Sequence, residues 1–154
     1  MKGLQDKVFI ITGGATLIGT GVVDVLTGYG ARVAIFDIDE AGGEIAAGND
    51  PARCRFWRTD ITDDAAISRN IAAVNAHFGH IDGLVNLACS YLDEGINSSR
   101  QDWLQALDIN VVSTVAMSKA VRPYLIEQHG GAIVNFTSIS SSIAQTGRWL
   151  YPVS

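Results

Sequence analysis

The run Thr12-Gly13-Gly14-Ala15-Thr16-Leu17-Ile18-Gly19 separates a continuous apolar stretch, Val8-Phe9-Ile10-Ile11, from a segment whose apolar residues recur at helical spacing. A glycine-rich turn between a strand and a helix can bind an anion. Free amides and the helix dipole offer partial positive charge to a phosphate, and glycines let the backbone approach it closely. Asp37 falls 18 residues after Gly19, at the end of the next β-branched run. A carboxylate there can accept hydrogen bonds from the ribose hydroxyls of an adenine dinucleotide. A 2′-phosphate would face that carboxylate and find no Arg or Lys in Ile38-Asp39-Glu40, so the residues favour NAD over NADP. Gly13, Thr16, Leu17, Ile18, Gly19 and Asp37 are the cofactor-binding candidates of this part of the chain. The competing reading is a turn that only packs helix against strand, with Asp37 capping the next segment.

Positioning such a turn requires a sheet. Short β-branched runs alternate with stretches of period 3.6 along the whole chain, an order that predicts parallel strands joined by crossover helices. Strands are expected at Val8–Thr12, Arg32–Phe36, Arg53–Thr59, Asp82–Leu87 and Ala132–Phe136. The first is apolar on both faces and belongs in mid-sheet. Ile18, Val22, Val25, Leu26 and Tyr29 predict one helical stripe, with Gly30 as its stop. The stretch Asp39–Gly48 is expected to be irregular, because Gly42 and Gly43 each cost nearly ~1 kcal/mol in a helix. Thr62 is the expected cap of a helix whose Ile67, Ile71, Val74 and Phe78 share a face. The longest helix is expected from about Arg100 to Gln128, with Trp103, Leu107, Val111 and Val115 on one side and Leu104, Val112 and Ala116 on another. One of those stripes either meets a partner chain or is buried in a larger monomer. The sequence stops soon after the fifth strand, where the alternation calls for a further helix, so the chain is expected to be part of a longer protein.

Composition narrows the partners. With 154 residues, 16 Gly, 3 Pro, 47% hydrophobic and 18% charged side chains, the chain has the makeup of a globular domain rather than a disordered or fibrous one. The net charge of −5 and a pI near 5.0 repel phosphate backbones, so no nucleic acid is expected to bind. No apolar stretch approaches the roughly 18 residues of a membrane span. Met1 to Lys7 leads into the first strand without the apolar segment of a secretory signal. Cys54 and Cys89 form no CxxC pair and read as free thiols of a reducing, cytoplasmic compartment. His77, His80 and His129 lack ligand spacing, so no metal site is expected. Trp57, Trp103 and Trp149 read as core or interface residues, with Trp149 close enough to Tyr151 to line a pocket.

Taken in order, these features resemble the N-terminal part of a short-chain dehydrogenase/reductase. That family carries a Thr-Gly-x-x-x-Gly-x-Gly turn, an Asn-Asn-Ala-Gly segment after the fourth strand, and an Asn-Ser-Tyr-Lys catalytic set. The resemblance spans the whole sequence and implies a Rossmann-type α/β fold, a doubly wound parallel sheet forming one dinucleotide-binding domain over 1–154, incomplete on its C-terminal side. It also implies that Asp60 and Ile61 hold the adenine, and that Asn86 and Ala88 belong to the segment beside the cofactor. Asn110, in Asp108-Ile109-Asn110-Val111, matches the catalytic asparagine. Ser138, 13 residues before Tyr151, matches the catalytic serine, and Tyr151-Pro152-Val153-Ser154 opens the Tyr-x-x-x-Lys motif. The lysine falls beyond Ser154.

Three residues depart from the family pattern. Leu17 stands at the second glycine, and Leu87 and Cys89 replace the second Asn and the Gly of Asn-Asn-Ala-Gly. Either the loop shifts to admit the Leu17 side chain or NAD binding weakens.

The chemistry of these residue types agrees with the resemblance. Moving a hydride from an alcohol carbon requires a group that takes the hydroxyl proton. A phenol with an ordinary pKa of about 10 does so at neutrality only if about three units, or about 4 kcal/mol, of differential stabilisation is supplied. Ser138 would hold the substrate oxygen and Asn110 would order a water in the proton relay. The expected function is an NAD-dependent oxidoreductase interconverting a small-molecule alcohol and a ketone, assembled as a homo-oligomer, a dimer or tetramer. The alternative is a catalytically inactive, truncated dinucleotide-binding or interaction module.

Overall fold

A computed structural model describes residues 3–48 and 50–154. The reading of the N-terminus as lacking a secretory signal falls partly on Met1 and Lys2, which lie outside the described residues. Five strands, β1 (Val8–Thr12), β2 (Arg32–Asp37), β3 (Cys54–Arg58), β4 (Gly83–Asn86) and β5 (Ala132–Asn135), form one sheet in the order β3-β2-β1-β4-β5. Every pairing is parallel. The chain winds outward from β1 to β3, then returns to place β4 on the other side of β1. The crevice between the carboxyl ends of β1 and β4 is therefore a topological switch point, where open α/β sheets bind ligands. Both the glycine turn and the Asn86-Leu87-Ala88-Cys89 segment open onto it.

Helices cover the sheet on both sides: α1 (Leu17–Gly28), α2 (Glu40–Ala47), α3 (Asp64–Phe78), α4 (Arg100–Leu107) and α5 (Ser113–Glu127). The period of two along the strands divides the core. Val8, Ile10, Ala34, Phe36 and Leu84 pack on one side against Ile67, Ile71 and Val74 of α3 and Met117, Val121 and Leu125 of α5. Ile11, Val33, Ile35, Phe56 and Val85 pack on the other against Val22, Val23 and Leu26 of α1 and Ala46 and Ala47 of α2. The strand expectations hold to within a residue or two at each end, as does the buried stripe of α3.

Several local expectations are corrected. Asp39–Gly48 is not irregular. Asp39 caps α2 by accepting from the Gly42 amide, and a Cβ at Gly43 would run into the Phe56 ring, so the glycine lets this helix lie close on β3. Packing outweighs the propensity cost. The predicted stripe of α1 is also rotated: Ile18, Val25 and Tyr29 are exposed, while Gly19 and Val23 are buried. Gly19 sits where a Cβ would collide with the Gly13 carbonyl, and that contact fixes which face turns inward. Thr62 does not cap α3, because the Asp63 carboxylate accepts from the Ala65 and Ala66 amides and Thr62 donates instead to Asp60. The long helix is interrupted by a π-helical segment, Asp108–Val112, between α4 and α5.

β5 is exposed along its whole length, with Ile133 and Val134 at 40% and 49%, so this side of the sheet is uncovered. Leu104, Val111, Val112 and Val115 are likewise exposed, on the side of the α4–α5 path away from buried Ala106, Met117 and Val121. Among the described residues no helix is long and apolar enough to cross a membrane.

Candidate functional site

The glycine turn is built as a closed knot of backbone contacts. Gly13, at φ +72°, donates its amide to the Phe36 carbonyl at 2.8 Å. A Cβ on it would stand 2.8 Å from the Ala88 backbone, so only glycine lets the turn meet the loop after β4 this closely. Thr12 ties the same two segments: its hydroxyl accepts from the amides of Leu87 at 3.1 Å and Ala88 at 3.2 Å. The Thr16 hydroxyl donates to the Gly13 carbonyl and leaves the N-terminus of α1 without a side-chain cap. The first amides of α1 therefore have no intrahelical partner and point toward the crevice end of the sheet.

Asp37 is 9% exposed and its carboxylate serves this knot. Oδ2 accepts from the Ala15 amide at 3.0 Å and Oδ1 from the Asp39 amide at 3.1 Å. Each oxygen keeps a further lone pair for a hydroxyl donor. Leu17 is 94% exposed and does not line the adjacent cavity, whereas Ile18 does. The leucine side chain thus lies in solvent instead of filling the turn. Asp60 is exposed and holds Thr62, and Ile61 is buried in the α3 side of the core.

A cavity of about 240 Å³ opens at the switch point. Its wall brings together Asn110, Ser138 and Tyr151 with Ile18, Asn86 and Ala88. Gly13, Thr16, Gly19, Asp37, Asp60 and Ile61 lie outside that wall, the first three between the end of β1 and the first turn of α1, Asp37 at the end of β2, and Asp60 and Ile61 just after β3. Trp149 is exposed and does not line the cavity, contrary to its proximity in sequence.

Asn86 and Asn110 are fixed by partners distant in sequence, and Ser138 by its own turn. Asn86, 5% exposed, donates from Nδ2 to Asn135 Oδ1 at 2.9 Å and to Ser118 Oγ at 3.3 Å, joining β4, β5 and α5, while its Oδ1 is buried with no hydrogen-bond partner. Asn110 lies in the π-helical segment, where the wider turn is often found at functional sites. Its amide accepts from the Ser90 N–H at 2.7 Å and donates to the Ser90 carbonyl and to Ser154 Oγ. Ser138 caps a short 3₁₀ turn, accepting from the Ser140 amide and donating to the Ser140 hydroxyl at 3.0 Å.

Tyr151 faces Tyr91, with ring centroids 5.1 Å apart and planes inclined at 34°. The Tyr91 phenol is pushed up to about 12 by its hydrogen bond to Cys89 and by the charge of that thiol when ionised, then by burial and by Tyr151. Tyr91 therefore stays protonated through the neutral range. Cys54, in contrast to exposed Cys89, is buried, and burial followed by the charge of Asp24 raises its thiol to about 12. It is packing, not reactive.

Two elements escaped the sequence reading. The partner of Asn110 is the Ser90 backbone, and a carboxylate at Asp93 receives the amide of Tyr151. Neither has a local sequence signal, because the groups they join lie 20 and 58 residues apart.

The chain resembles known proteins over most of its length. The family described as short chain dehydrogenase matches residues 7–154. D-threitol dehydrogenase of Mycolicibacterium smegmatis is 37% identical over 145 residues, covering 92% of this chain and 56% of that protein. The 3-beta-hydroxysteroid dehydrogenase of Comamonas testosteroni is 36% identical over 140 residues, covering 90% and 54%. The crystal structure of an NAD+-bound xylitol dehydrogenase superposes with a TM-score of 0.91 at 26% identity, covering 99% of this chain and 60% of that one. The chain thus spans little more than half the length of these proteins. The family match runs from residue 7 to residue 154 and the first of these relatives is 37% identical over 92% of the chain, and on that ground the chain belongs to the short-chain dehydrogenase family.

Proposed function

We propose that this chain is the cofactor-binding and proton-transfer part of an NAD-dependent oxidoreductase that interconverts an alcohol and a ketone. The observation that carries the reading is one cavity wall on which Asn110, Ser138 and Tyr151 meet Ile18 and Ala88 at the switch point. The residues fit a dinucleotide. Thr16 leaves the α1 amides uncapped for a pyrophosphate, Gly13 and Gly19 keep the turn tight, and Leu17 stays in solvent. Asp37 would accept the ribose hydroxyls and oppose a 2′-phosphate, which supports NAD over NADP. Asp60 and Ile61 would flank the adenine, with Asn86 and Ala88 toward the nicotinamide. When bound, the cofactor supplies the acceptor for the hydride leaving the alcohol carbon.

The chain's own residues handle the proton. Tyr151, in its phenolate form, takes the proton from the substrate hydroxyl as the carbonyl forms, and as the phenol it returns that proton in the reverse direction. Ser138 turns its hydroxyl from Ser140 to the substrate oxygen. Asn110 holds the Ser90 loop and a water of the relay. The reading includes one dinucleotide-binding domain over 1–154, a cytoplasmic location, and a homodimer or tetramer joined through the exposed side of α4 and α5.

The test uses the full-length protein with threitol, xylitol and a hydroxysteroid as probes, following the reduced nicotinamide. Expected are turnover with NAD+, at least about tenfold weaker use of NADP+, and a rate loss of about 10²–10⁴-fold in Tyr151→Phe with NAD+ binding retained. Absence of NAD+ binding by calorimetry, or full activity in Tyr151→Phe, overturns the reading.

A further inference from the structure

Tyr151 sits on a segment with little regular structure of its own, Gln145 to Ser154, whose single helical turn begins at Leu150. What holds that turn is a carboxylate from another part of the chain. Asp93, in the loop between β4 and α4, accepts four backbone amides. Oδ1 takes Gly95 N–H at 2.9 Å and Trp149 N–H at 3.1 Å. Oδ2 takes Leu150 N–H at 3.0 Å and Tyr151 N–H at 2.9 Å. Three consecutive amides of the tyrosine segment thus converge on one side chain, as they would on the cap of a helix, but the cap is 56 to 58 residues away in sequence.

Other contacts between the same two segments agree. A Cβ on Gly95, at φ +56°, would stand 2.5 Å from the Gly147 carbonyl oxygen, so the loops are pressed together there too. Leu150 is fully buried and the Tyr91 ring lies beside that of Tyr151. We infer that Asp93 is the positioning residue of Tyr151, fixing the phenol in the cavity by capping the turn that carries it. This rests on the assignment of Tyr151 as the proton-transfer group.

The chemistry requires a carboxylate. Two oxygens offer about four acceptor sites, which matches four amide donors. An asparagine has one oxygen, and its NH2 would be turned against two of those amides. A glutamate keeps charge and acceptors but is longer by one methylene. Charge on the carboxyl is well supported: partial burial pushes its pKa up, but the amides of Trp149, Tyr151, Gly95 and Leu150 pull it down to about 2.

The full-length protein is compared with Asp93→Asn, Asp93→Glu and the exposed neighbour Glu94→Gln as control. Two readouts are taken: kcat with NAD+ affinity, and hydrogen exchange of the Trp149–Tyr151 amides. Displacing a reacting group by about 1 Å costs about a hundredfold. The expected result is that loss in kcat for Asp93→Asn, partial recovery in Asp93→Glu, NAD+ affinity unchanged, and faster exchange at Trp149–Tyr151. Glu94→Gln matches wild type. Unchanged kcat in Asp93→Asn, or a loss that follows NAD+ affinity, overturns the inference. If the wild type turns over no alcohol, the proposed activity fails by itself, and exchange still decides: unchanged protection in Asp93→Asn overturns the clamp and faster exchange supports it. Should Asp93→Asn fail to fold, the same readings on Asp93→Glu decide.

Discussion

Asn110 grips Ser90 at both of its backbone polar groups, accepting from the N–H at 2.7 Å and donating to the carbonyl at 3.1 Å. A side-chain amide thereby replaces the strand neighbour that this loop lacks. Its remaining N–H reaches Ser154, so one residue of the π-helical segment ties together the loop after β4 and the end of the chain. Asn110→Ala removes three partly buried hydrogen bonds and is expected to cost about 2–4 kcal/mol, read by chemical denaturation. A loss below about 0.5 kcal/mol would show that the loop holds itself.

Thr12 is a test of the switch point itself. It is 1% exposed and its hydroxyl accepts the amides of Leu87 and Ala88. Thr12→Val keeps the shape and leaves those two donors unpaired, at an expected cost of about 2–3 kcal/mol, whereas Thr12→Ser keeps most of the stability. Equal melting of the valine and serine variants would remove the hydroxyl from the account.

Two glycines in helices should answer an added methyl in opposite directions. Gly21, inside α1, has no heavy atom within 4 Å of an added Cβ, so Gly21→Ala is expected to stabilise by about 0.5–1 kcal/mol through helix propensity. Gly43 lies on the Phe56 ring, and Gly43→Ala is expected to destabilise by about 1–3 kcal/mol through overpacking. Thermal melts of the pair decide it; a stabilised Gly43→Ala would mean that α2 floats free of β3.

The Asp93 clamp has a defined pH window. Its carboxyl falls from the ordinary 3.8 to about 2 in the folded chain, so the folded state binds the proton less readily than the unfolded one. The stability it contributes is complete above about pH 4 and is lost as pH falls through about 2. Exchange protection of the Trp149–Tyr151 amides, corrected for intrinsic rates, should exceed that of Asp93→Asn above this window and converge with it at the acid end. A difference that persists unchanged at the acid end would contradict the capping role.

The strands and the glycine turn were legible in the sequence because each rests on a local pattern, a run of β-branched residues or a glycine spacing, whereas Asn110, Ser138 and Tyr151 were named by resemblance to a family, and the fold places the three on one cavity wall. The wall that joins them was only partly legible. Which face of α1 turns inward depended on Gly19 meeting Gly13, and whether α2 formed depended on Gly43 meeting Phe56. Propensity carries no information about either encounter. Asp93 carries no local signal of its role, which depends on the fold bringing Trp149, Leu150 and Tyr151 to it. The sequence by itself determined the alternation of elements, and hence a parallel doubly wound sheet with a phosphate-suited turn at its centre. Only the tertiary structure decided how the tyrosine is held, because a carboxylate acts on the amides it touches, and those contacts exist only once β4 and β5 lie side by side.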